Sequence, residues 1–140
     1  MTLNRELFVE DPTQKDIPNL GVAKVGQPDD DSSWRVLRYE LESFVCEGEY
    51  ERGLDRILST YLSHLDQDSQ PTVWVSGFYG SGKSHLVRVL EHLWRDEEIP
   101  GANGATARGL VTVSQRVEDS LRELTAAGKR AGGLWSAAGT

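Results

Sequence analysis

The eight residues from Gly77 to Ser84, GFYGSGKS, constrain this chain more than any other stretch. Glycine inside a helix or strand costs about 0.5–1 kcal/mol relative to alanine, so three glycines within six positions call for a loop. The run ahead of them, TVWVS, sets Val73, Trp74 and Val75 between Pro71 and Gly77. It is rich in strand formers and predicts a short strand buried on both faces, as in a parallel sheet. The run behind, KSHLVRVLEHLWRD, repeats Leu86, Val89, Leu90 and Leu93 at helical spacing and closes before Pro100. Strand, glycine loop, helix is the order that this motif requires. The expected fold class is therefore α/β, an incomplete P-loop arrangement preceded by a helical N-terminal section.

Polyphosphates need many hydrogen-bond donors converging on a small volume with no side chains in the way. Gly77, Gly80 and Gly82 supply the backbone freedom that turns successive N–H groups inward, and the helix behind adds its positive N-terminal end. Ser81 completes the run of loop residues. Lys83 is placed to reach the β and γ phosphates, and Ser84 to set its hydroxyl on Mg²⁺. The expected site is thus Gly77, Gly80, Ser81, Gly82, Lys83 and Ser84, and the expected ligands are a nucleotide and Mg²⁺.

Other residues carry weaker signals. Phe78 and Tyr79 occupy the free positions of the loop, where packing against neighbouring elements is the expectation and stacking on a base the competing one. His85 and His92 share a helix, but no acid or Cys completes a metal site with them, so both read as surface or packing histidines. Glu91 and Glu97 read as solvated charges.

Elsewhere the chain divides into three parts. Residues 1–31 form an irregular lead-in, with GVAKVG as a candidate short strand through Val22 and Val25. The acidic run Asp29–Asp31 precedes a helix that Asp31 or Ser32 caps. Residues 32–66 read as two packed helices. Trp34, Leu37, Leu41, Phe44 and Val45 mark the first, which ends or kinks at Gly48; Tyr50, Leu54, Ile57, Leu58, Tyr61, Leu62 and Leu65 mark the second. Residues 71–140 hold the glycine loop, then a Gly/Ala loop from Gly101. A last helix comes after it through Val113, Val117, Leu121 and Leu124, with Gly128 as its C-cap.

Composition narrows the partners. In 140 residues the formal net charge is −7, which argues against wholesale coating of nucleic acid, and no DNA contact is evident. The single Cys46 has no partner for an internal disulfide and reads as a small buried apolar residue. No stretch approaches the roughly 20 apolar residues of a membrane helix, and nothing near Met1 reads as a leader. The expected location is the cytoplasm.

ATP hydrolysis requires more than the loop: a second acid at the end of an apolar strand, a residue that orients water and an arginine for the γ-phosphate. No run of four apolar residues ending in Asp or Glu comes after Ser84. The nearest candidate strand, RGLVTVSQ, ends in Ser114 and Gln115.

RELFVEDPTQKDIPNLGVAKV, the helical pair, VWVSGFYGSGKSHLVRVLEHLW and the closing LRELTAAGKRAGGLWSAAGT together resemble the start of the large P-loop ATPases of bacterial phage-defence systems. These are the BREX and phage growth limitation (Pgl) type. The resemblance covers nearly the whole chain, but its specific functional motif is the Gly77–Ser84 loop. It implies ATP as the nucleotide, a much longer protein, and action beside other phage-defence proteins, a DNA methyltransferase among them. On that view the chain is an ATP-binding N-terminal part that does not hydrolyse ATP alone, and whether it is an enzyme is left open. Two alternatives remain: a non-catalytic module whose amphipathic helices dock on a protein partner, or a truncated small-molecule kinase.

Overall fold

Asp30, one residue ahead of the two expected caps, starts the first helix: its carboxylate accepts from the Ser33 N–H at 2.7 Å. In this computed structural model the described residues are 26–137 together with Leu7, Phe8, Asp11, Thr13, Gln14, Ile17 and Pro18. The strand expected around Val22 and Val25 lies outside them.

Five helices succeed one another: α1 (Asp31–Glu42), α2 (Glu49–Leu62), α3 (Lys83–Arg95), α4 (Ala107–Leu110) and α5 (Gln115–Arg130). The first ends at Glu42, well short of Gly48, which instead opens α2 with a positive φ of 57°. Both helices of the expected pair are therefore present. Their apolar stripes enter a single core, to which α1 gives Leu37 and Leu41 and α2 gives Leu54 and Leu58, but the two do not pack chiefly on each other as expected: α1 lies on α3 and α4, and α2 on α5. Val89 and Leu93 of α3 and Val117, Leu121 and Leu124 of α5 complete the core. The most extensive helix contact is α2 on α5. Tyr61 of α2 meets Trp94 of α3 edge to face, with ring centroids 4.5 Å apart.

Polar links set the register of α1 against α3 and the Gly/Ala loop. Arg88 of α3 lies 3.2 Å from the Glu40 carboxylate, both largely buried. Arg38 donates to the Gly101 carbonyl at 2.7 Å. The Gly/Ala loop is ordered by its own hydrogen bonds: Ile99 N–H donates to the Ala105 carbonyl at 3.0 Å, and Ile99 is buried. Arg108 then ties the last turn of α3 to the middle of α5, donating to the carbonyls of Leu93 and Leu121 and to the Thr125 hydroxyl.

The α/β expectation is not met. Among the described residues there is no strand and no sheet, only one isolated antiparallel bridge between Glu98 and Thr106. Residues 71–78 belong to no helix or strand, and no backbone hydrogen bond joins residues 71–76 to another described residue. The strand–loop–helix reading thus reduces to loop and helix. The reason is physical: a strand buried on both faces needs a neighbour on each edge and cover on each side. Here Trp74 is 88 % exposed, and only Val75 packs against the core. The second candidate strand, RGLVTVSQ, is α4 and then an irregular turn, with Ser114 as the N-cap residue of α5.

Gly128 does not cap the last helix. It lies inside α5, whose C-cap is Ala131, and its missing side chain admits Leu134, which a Cβ would meet at 2.5 Å. Of the described residues, no helix is long and apolar enough to cross a membrane.

Candidate phosphate-binding loop

The loop is shaped by glycine where the backbone demands it. Gly80 and Gly82 have φ values of 78° and 74°, in the left-handed region that an L side chain rarely adopts. Gly77 contributes differently: its φ is ordinary, but a Cβ there would lie 2.8 Å from the Ser81 hydroxyl. The chain thus folds tightly over the N-terminus of α3, with Ser81 N–H closing a turn onto the Phe78 carbonyl at 3.2 Å.

This fold leaves a set of unused donors. The N–H groups of Gly80, Gly82, Lys83 and Ser84 find no acceptor among the described residues, and the first intrahelical bond of α3 is Leu86 N–H to the Gly82 carbonyl at 2.9 Å. Unpaired N–H groups at a helix start, with the positive end of the helix behind them, favour an anion.

The Lys83 ammonium is folded back onto the loop. It donates to the carbonyls of Gly77 at 3.0 Å and Phe78 at 2.6 Å, and stands 3.5 Å from the Ser81 hydroxyl. All six expected site residues therefore lie in one loop and the first turn of α3. A phosphate arriving there competes with two neutral carbonyls for the ammonium and offers a charge-assisted bond in their place. Ser84 is half-buried in the first turn of α3. Among the described residues no group of three or more His, Cys, Asp or Glu side chains is arranged to hold a metal ion by itself.

Beside the loop, a cleft of about 860 Å³ runs between α2 and residues 71–77. Tyr50, Arg56, Val75, Gly77, Ser81 and Lys83 are among the residues that line it. That volume falls in the range of small-molecule sites.

Several side chains read from sequence take other roles. Phe78 and Tyr79 do not pack against neighbouring elements: they are 91 % and 97 % exposed. Glu91 is buried rather than solvated, and accepts from the Ser136 hydroxyl at 3.4 Å. His85 packs its ring against Phe44, and its Nε2 lies 3.0 Å from the Glu40 carbonyl. His92 is only 2 % exposed, and its Nε2 has no hydrogen-bond partner among the described residues. Burial, helped by the charge of Arg88, pulls its pKa down to about 4. Burial also pushes the Cys46 thiol up, which makes it an inert core residue as expected.

Sequence reasoning missed Tyr50. Its hydroxyl donates to the Ser81 carbonyl at 2.7 Å from a helix start 31 residues away. No local pattern announces such a contact, since Tyr50 reads only as one more apolar position of α2.

No protein-family model matches this chain, and no solved structure does.

Proposed function

We propose that the Gly77–Ser84 loop binds the phosphates of ATP together with Mg²⁺. The observation that carries this reading is the row of N–H groups on Gly80, Gly82, Lys83 and Ser84 that have no acceptor among the described residues, in the same loop as the Lys83 ammonium. In the bound form those amides and Lys83 hold phosphate oxygens, and Ser84 offers its hydroxyl to Mg²⁺. The reading assigns binding, not turnover, to this chain alone.

Titration with a fluorescent ATP analogue and Mg²⁺ tests it, with the wild type beside Lys83→Ala and a hydrolysis assay on the same samples. The expected result is saturable binding by the wild type, at least about tenfold weaker in Lys83→Ala, where a charge-assisted bond is lost. Equal binding by both proteins would sink the assignment.

The resemblance of the sequence to the phage-defence ATPases supports a setting in a cytoplasmic defence complex. There the chain acts within, or as part of, an ATPase that works beside other defence proteins. A phage-plating assay in cells that depend on the protein checks that context. Protection should be lost in Lys83→Ala, and retained protection would separate the loop from defence.

The interaction-module reading keeps one observation in its favour. The apolar stripes of α1 and α2 are occupied in the core, but Trp74, Phe78 and Tyr79 stand exposed around the loop. A partner on that surface would be lost with Trp74→Ala and indifferent to Lys83→Ala.

A further inference from the structure

The contact between Tyr50 and the loop goes beyond packing. In a trans peptide the carbonyl of one residue and the N–H of the next point in opposite directions, and no cis peptide bond occurs among the described residues. By donating to the Ser81 carbonyl at 2.7 Å, the Tyr50 hydroxyl holds the Ser81–Gly82 peptide with its carbonyl towards α2 and the Gly82 N–H facing away from it. That N–H is one of the loop donors without an acceptor among the described residues. Without the phenol this peptide is free to turn over, because glycine at 82 tolerates most backbone angles. A turned peptide presents a carbonyl oxygen where the anion needs a donor.

The phenol ring is itself packed against the end of α1. Phe44, just beyond α1, meets the Tyr50 ring edge to face at 5.6 Å and the His85 ring at 5.4 Å. His85, two residues after Lys83, is tied in turn to the Glu40 carbonyl of α1. Gly82 leaves no slack: a Cβ there would collide with the Tyr50 oxygen. The start of α2 and the end of α1 therefore meet at the loop.

We infer that Tyr50 is a positioning residue for the phosphate site, orienting the Ser81–Gly82 peptide so that the Gly82 N–H serves as a phosphate donor. The inference rests on the phosphate-binding reading above and assigns the helical pair a function within it, as the brace of the loop.

Tyr50→Phe tests it, since the variant keeps the ring against Phe44 and removes only the hydroxyl. Calorimetric titration with inorganic pyrophosphate and Mg²⁺ should give binding about fivefold weaker than wild type, the loss of one net hydrogen bond. In the ligand-free protein the Gly82 amide should shift in the ¹⁵N–¹H spectrum, while core amides such as that of Leu58 do not change. Wild-type affinity in Tyr50→Phe would overturn the inference and leave the phosphate reading standing. Weaker binding with an unchanged Gly82 amide would also overturn it, because Tyr50 would then act through the fold at large. No pyrophosphate binding by the wild type would overturn both.

Discussion

Gly82 carries two demands at once, a φ of 74° and a phenol oxygen against its α-carbon. Gly82→Ala should therefore destabilise the protein by about 1–3 kcal/mol, the usual cost of a non-glycine residue in a sparsely populated backbone region. Part of that loss should return in Gly82→Ala combined with Tyr50→Phe, since the clashing oxygen is gone and the next ring atom stands at 3.4 Å. Urea unfolding of the two single variants and the double variant checks this, and strict additivity would show that the contact does not matter. The residues of the loop are legible in sequence because their chemistry is local: glycine answers a backbone angle, and lysine and serine come after it at fixed spacing. Gly77 is legible for a partly mistaken reason, being required for room beside Ser81 rather than for its own φ. Tyr50, Glu91 and His92 are not legible in this way. Their surroundings are supplied by residues far away in sequence.

At the scale of elements, the longer helices stand on one buried face each, and only α1 among the described helices has a side-chain cap. Asp30 makes the side-chain cap of α1, so Asp30→Ala should cost about 1 kcal/mol. Leu58, fully buried where α2 meets the rest of the core, should cost about 2–5 kcal/mol on replacement by alanine. Chemical denaturation distinguishes the two, and a core loss no larger than the cap loss would contradict the packing described. Helical periodicity survives in sequence because each turn repeats the same demand, and so α1, α2, α3 and α5 can all be anticipated, with ends displaced by a few residues. The strand expected from Thr72 to Ser76 is absent among the described residues. A strand is half of a pair, and three apolar residues between a proline and a glycine do not determine what lies beside them.

For the whole molecule, the buried neutral His92 ties stability to pH. Its folded pKa of about 4 lies below the ordinary histidine value of 6.5, so between those values the unfolded chain binds a proton that the folded chain refuses. Stability contributed by this group is complete above pH 6.5 and falls as pH drops towards 4, by up to about 3 kcal/mol. His92→Gln should lack that component, so the stability difference between wild type and variant should narrow or invert across this window. A difference independent of pH would mean that His92 is hydrated. Ligand linkage acts on the same global equilibrium: ATP with Mg²⁺ at about a hundred times its dissociation constant should stabilise the wild type by about 2.7 kcal/mol. Lys83→Ala, which binds at least about tenfold more weakly, should keep about half of that gain or less in a thermal melt.

Sequence alone determined the glycine loop, the lysine and serine behind it, and the helices with their apolar faces, because all of these are set by neighbours within a turn or two. The tertiary structure decided the rest. It set which faces meet in the core, left the Val73–Val75 run without a partner strand among the described residues, buried His92 and Glu91, and carried Tyr50 to the Ser81 carbonyl. Each of these depends on groups distant in sequence that only folding brings within hydrogen-bonding or van der Waals reach.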